Sequence, residues 1–188
     1  MNYIVSGLER SGTSLMMQIL EKAGFDVGYD NSRKPDKNNP KGYYELYGGK
    51  IINNINNVDF NKYIDKAIKI TSVGITNLPK DGRKYKVIYM QRPIDEVLDS
   101  TDKFTDNYNV VDSSLKKALI TLNDSIEKYM NIRKDIDYIF IYHRNLMNEP
   151  EIELKRLSDF LNFDISSGID AIDKKLWRHR NEEYKSLK

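Results

Sequence analysis

The chain has 188 residues, 30 of them basic and 28 acidic, for a formal charge of +2. So even a balance sets up no general field for a polyanion, and nucleic acid is not an expected partner. Cysteine is absent, which excludes disulfides, thiolate zinc sites and thiol catalysis, and with only His143 and His179 no histidine-rich metal site is expected. The length reads as a single domain over residues 1–188. No apolar run approaches the roughly 20 residues of a membrane span. A glycine loop that starts at residue 7 leaves no room for a cleaved leader, so a cytoplasmic protein without membrane attachment is expected.

Tyr3-Ile4-Val5 belongs to a strand over 3–6, which runs into Gly7-Leu8-Glu9-Arg10-Ser11-Gly12-Thr13-Ser14 and then a helix through Leu15-Met16-Met17-Gln18-Ile19-Leu20. Strand, glycine loop and helix in that order form a phosphate cradle. The glycines let the backbone turn with its N–H groups inward, and the helix N-terminus adds partial positive charge. Gly7 and Gly12 have the spacing of G-x-x-x-x-G-K-[ST], yet Thr13 stands where the lysine for the outer phosphates of a nucleoside triphosphate belongs. The cation has moved to Arg10. The loop, including Ser11 and Ser14, therefore reads as built for an anion other than Mg-ATP.

Residues 29–43, rich in Asp, Asn, Lys, Pro and Gly, read as a long loop of the kind that serves as a binding or lid element. Strands follow at 67–71 and 85–90. The second leads into Gln91-Arg92-Pro93-Ile94-Asp95-Glu96-Val97-Leu98-Asp99-Ser100, where Pro93 suits a helix start and the helix brings Ser100 back toward the strand end. Arg92 as a bidentate donor and Ser100 as a hydroxyl can then jointly hold a second phosphate. A polar connection at 104–112 precedes a helix over 113–134 that repeats Leu115, Leu119, Leu122, Ile126 and Met130 on one face. A strand over 136–142 and a helix from Pro150 complete the pattern. Buried strands alternating with helices predict a three-layer α/β/α domain with a mainly parallel sheet, P-loop NTPase-like, its ligand beyond the carboxyl ends of the strands. No strand ends in the apolar run followed by Asp that helps hold Mg²⁺ in nucleotide hydrolases.

Together GLERSGTS and RPIDEVLDS resemble the two signatures of the sulfotransferases that use 3′-phosphoadenosine 5′-phosphosulfate (PAPS), a G-x-x-[RK]-S-G-T-[TS] loop and an R-x(7)-S element. Ala67-Ile68-Lys69-Ile70-Thr71 is similar to that family's strand with an active-site lysine. Phe140-Ile141-Tyr142-His143-Arg144-Asn145-Leu146, followed by Asn148-Glu149-Pro150 and Asp159-Phe160-Leu161, is similar to its Y-E-D-L … P … FL segment, so the resemblance spans roughly residues 3–163.

The resemblance implies transfer of a sulfuryl group from PAPS to a hydroxyl or amine on a small-molecule, carbohydrate or peptide acceptor, leaving adenosine 3′,5′-bisphosphate (PAP), without a metal. It implies donor contacts from Gly7, Arg10, Ser11, Gly12, Thr13, Ser14, Arg92 and Ser100, with Arg10 and Lys69 stabilising charge as the bond breaks. Tyr142 either contacts the adenine or is an ordinary strand aromatic. Arg178 and Arg180, beside Trp177, either close over the donor or belong to a solvated basic tail. Asn39-Pro40-Lys41-Gly42-Tyr43-Tyr44-Glu45 is similar to the substrate-side segment of several bacterial sulfotransferases and makes Glu45 the general base, its pKa raised among Tyr43, Tyr44 and Tyr47. His143 is the rival base. The chain departs from the cytosolic branch at Thr71, where a histidine base would stand, and in lacking the R-K-G-x-x-G-D-W loop. A P-loop kinase, or a PAPS- or PAP-binding protein without turnover, are the alternative readings.

Overall fold

The computed structural model describes residues 1–30, 32–36, 39–49, 55–105 and 113–177. Five strands form one all-parallel sheet: β1 (Asn2–Gly7), β2 (Val27–Gly28), β3 (Ala67–Lys69), β4 (Tyr85–Gln91) and β5 (Ile136–Tyr142), in the order β2-β3-β1-β4-β5. The helices are α1 (Thr13–Lys22), α2 (Ile94–Thr105), α3 (Ser113–Ile132), α4 (His143–Asn148) and α5 (Pro150–Leu161). The expected α/β class with a parallel sheet is what the chain adopts.

Strand periodicity assigns the two faces. Ile4, Ile68, Tyr85, Val87 and Tyr89 point to one side, where Ile126 and Met130 of α3 pack on them together with Phe60 and Ile75. Val5, Ala67, Ile88, Met90 and Ile141 point to the other, against Met16, Met17, Ile19 and Leu20 of α1 and Leu154, Leu157 and Leu161 of α5. Each such side chain taken fully out of water contributes about 1.5–3 kcal/mol, so the sheet is fixed from both faces before any polar contact counts.

Three boundaries differ from expectation. The strand expected over 67–71 ends at Lys69, although Ile70 N–H still donates to the Val5 carbonyl at 3.0 Å. Burial on α3 sets in only toward its carboxyl half: Ile126 and Met130 are buried, while Leu115 stays 46% exposed. The polar connection expected at 104–112 overlaps the end of α2 at Thr105, and residues 106–112 lie outside the described ones. Among the described residues no helix is long and apolar enough to cross a membrane.

Candidate functional site

The carboxyl ends of β1, β3 and β4 and the start of α4 after β5 open onto one cavity of about 700 Å³. The loop after β1 shapes its floor. Gly7 has φ 150°, and a Cβ there would lie 2.5 Å from Ser11 Oγ and 2.6 Å from the Met90 carbonyl, so no side chain fits. Arg10, at φ 66°, holds a left-handed conformation that non-glycine residues rarely adopt, and Ser11 N–H closes the turn on the Leu8 carbonyl at 3.1 Å. Gly12, at φ 103°, is the residue before α1. The first N–H groups of α1 have no intrahelical acceptor and open the helix toward the cavity, which Gly12, Thr13 and Ser14 line. Ser11 Oγ is buried without a hydrogen-bond partner among the described residues, a donor in want of an acceptor inside an anion cradle.

The two separated motifs meet here. Arg10 Nε donates to Ser100 Oγ at 3.0 Å, and Arg92 Nη1 donates to the Arg10 carbonyl at 2.9 Å. Arg92 and Ser100, expected to share a phosphate, thus stand on either side of Arg10, and Arg92 ties the α2 entry to the glycine loop. Arg92 also donates through Nε to Glu96 Oε2 at 3.0 Å. Burial and the nearby guanidinium of Arg92 push the Arg10 pKa below its ordinary value, against the opposing pull of Tyr43 and Asp36. It stays charged all the same.

Across the cavity lies a second network. The Lys69 ammonium donates to Ser14 Oγ at 3.1 Å, to Glu45 Oε1 at 2.9 Å and to the Tyr43 carbonyl, so each of its three N–H bonds has an acceptor. Burial lowers its pKa, with Glu45 pulling the other way. Arg33 Nη1 grips the same carboxylate at 2.9 and 3.2 Å while its guanidinium lies 3.6 Å over the Tyr43 ring. The Tyr43 hydroxyl in turn donates to Asp36, within 2.8 and 2.9 Å of its two oxygens. Beside the neighbouring tyrosines, then, the Glu45 oxygens are held by two cations, Lys69 and Arg33, which sequence reasoning did not anticipate. Tyr44 and Tyr47, on either side of Glu45 and Leu46, have φ 55° and 54°, strain of the sort that collects where a side chain must be aimed.

Where β5 ends and α4 begins decides which side chain reaches the cavity. Tyr142 is 47% exposed and is not among the residues lining it, whereas His143, one residue on, lines it. A Cβ on Gly12 would lie 2.8 Å from His143 Cδ2. Burial, reinforced by Arg92 and Arg144, pushes the His143 pKa down to about 3 against the pull of Glu96, and its Nδ1 has no partner among the described residues. The ring is neutral at physiological pH and a poor proton acceptor. Asp173 and Leu176 line the cavity, and the Trp177 ring meets His143 edge-on at 5.9 Å, so the late segment does fold back over the site. Arg178 and Arg180 lie outside the described residues.

Sequence reasoning missed Glu96 and Arg33. Glu96 is fully buried and accepts from Arg92, from Arg144 Nε at 2.6 Å and from Trp177 Nε1 at 3.4 Å. Its place in the first turn of a helix gave it an ordinary explanation, while Arg33 sat in a polar loop without periodicity. Among the described residues no three His, Asp or Glu side chains gather as a metal-binding group.

No protein-family profile matches the chain, and no curated protein matches it. A solved structure similar to it is the unliganded crystal structure of a sugar kinase from Janibacter sp., 11% identical over 88% of this chain and 96% of that one, with a TM-score of 0.46. A likeness at that level assigns nothing to this chain.

Proposed function

We propose that the chain transfers a sulfuryl group from PAPS to a hydroxyl or amine acceptor. One observation carries the reading: the loop at 7–14 and the element at 92–100 close on each other through Arg10, Ser100 and Arg92 around a cavity of about 700 Å³, large enough for a nucleotide. The N–H groups that open α1 and the Ser11 hydroxyl take the 5′-phosphosulfate. The 3.0 Å contact between Arg10 and Ser100 supports giving this pair, with Arg92, the 3′-phosphate. Lys69 stands at the opening of α1 and faces the bridging oxygen. The acceptor oxygen or nitrogen bonds to sulfur as the sulfur–bridging-oxygen bond breaks, PAP leaves with the electron pair, and the acceptor proton goes to Glu45. When Lys69 turns to the donor it releases Glu45 Oε1, the oxygen that then takes the proton. Burial pushes the His143 pKa down to about 3, which favours Glu45 over it in this role.

Calorimetry with PAP in the presence of a chelator tests the donor site. The expected result is metal-independent binding that weakens by about tenfold or more in Arg92→Ala. No binding overturns the proposal, and Mg-ATP binding that survives the loss of Arg92 would point to a phosphoryl-transferring P-loop kinase instead. One observation favours a second reading, a donor-binding protein without turnover: both oxygens of Glu45 are already committed to Lys69 and Arg33. PAP affinity without sulfate transfer from PAPS to any of a broad panel of phenols, sugars and amines would select it.

A further inference from the structure

Glu96 is the least exposed carboxylate of the site, at 0%, and it does not line the cavity. It nevertheless joins one lining residue, Arg92, to two residues that stand beside the cavity. Arg92 comes from the end of β4, Arg144 from α4, and Trp177 from the late segment that folds back over His143. Two of these contacts are charge-assisted and buried, the condition in which geometry is most tightly fixed. Because Nε of Arg92 is held by Glu96, its Nη1 is directed at the Arg10 carbonyl, and Arg10 in its left-handed conformation reaches Ser100. An isolated carboxylate at full burial would be costly, so its retention here calls for a task.

We infer that Glu96 is a positioning residue for the donor site: it orients Arg92, and through Arg92 the backbone of the phosphate loop, while anchoring Trp177, which packs on the cavity-lining His143. This rests on the donor reading above. Orientation and bare charge have opposite signs at this position. Replacing the carboxylate leaves the guanidinium uncompensated, which alone would strengthen anion binding, whereas loss of orientation weakens it.

The experiment is a double-mutant cycle on PAP affinity with Glu96→Gln and Arg92→Ala, in variants checked for folding by circular dichroism. Glu96→Gln is expected to weaken PAP by about tenfold in the wild-type background and by less than about twofold in Arg92→Ala, since the residue acts through the arginine. Glu96→Asp keeps the charge but loses reach, and it too is expected to weaken PAP, which carries the test if the glutamine variant does not fold. Unchanged or tighter binding in Glu96→Gln, full rescue by Glu96→Asp, or additive losses would overturn the inference. Trp177 is the sole tryptophan, so acrylamide quenching gives an independent reading without any ligand. Glu96→Gln is expected to expose it, and unchanged quenching also counts as refutation. If the wild-type protein binds no PAP, the donor proposal falls and the quenching result alone decides whether Glu96 anchors Trp177.

Discussion

His143 makes the folded protein sensitive to mild acid, and the size of the effect follows from its surroundings. Its pKa falls from the ordinary 6.5 to about 3, burial being the main cause, with Arg92 and Arg144 adding to it. A depressed pKa gives stability that is complete above the unfolded value and lost as pH falls toward the folded one. Below pH 6.5 the unfolded chain takes up a proton on this ring and the folded chain does not, until near pH 3. The slope in that window approaches 1.4 kcal/mol per pH unit, so going from about pH 7.5 to about pH 5 costs about 2 kcal/mol from this residue alone. Urea unfolding at those two pH values, in the wild type and in His143→Gln, measures it. The pH-dependent loss of stability is expected to be smaller in the variant by about 2 kcal/mol, other titrating groups cancelling in the comparison. Equal losses in the two proteins would refute the reasoning and mean that the ring is protonated, or reaches water, in the folded state.

Other substitutions address the loop and the two networks. Gly7→Ala forces a methyl group against a backbone carbonyl that cannot rotate away, and is expected to lower stability by about 3 kcal/mol in the same urea assay. Ser100→Ala removes the acceptor of Arg10 Nε and is expected to weaken PAP by about threefold to tenfold in calorimetry, without loss of fold. Lys69→Met keeps the apolar stem and removes the ammonium. Transfer from PAPS is expected to drop by about 10²-fold while PAP affinity moves by less than about threefold, a split that separates a group acting on the breaking bond from one that merely binds.

Much of the frame was legible because it rests on local signals. The runs at 3–6, 85–90 and 136–142 are mostly apolar, β-branched and aromatic, and Pro150 marks the start of α5 where its fixed φ suits a first helical turn. β2 was not legible, since Val27 and Gly28 are too short to show a period and pair only because Ala67 and Ile68 lie beside them. At the site, residue types were readable but partners were not. Arg92 and Ser100, eight positions apart, were readable together, but that Arg10, ninety positions before Ser100, would donate to the serine was not. That His143 lines the cavity while Tyr142 stays 47% exposed depends on where β5 ends and the next helix begins, which no composition rule supplies. Glu96 reveals its role only through Arg144 and Trp177, both distant in sequence and brought near by the packing of α4 and the late segment.

The strand that carries the glycine loop lies in the middle of the sheet although both of its neighbours follow it in the chain. Val5 has Lys69 on one side and Ile88 on the other. Until those partners are synthesised, the first strand has two unsatisfied edges and its loop has no Met90 carbonyl to close against. The nascent chain therefore carries an apolar, edge-exposed segment until β4 has been made, the stage at which such a segment is open to chaperones and to other nascent chains. A ligand of the cavity cannot rescue it then, because the cavity exists only after β4 has docked. A weakened β4 should lower the yield of folded protein before it alters the behaviour of the molecules that do fold.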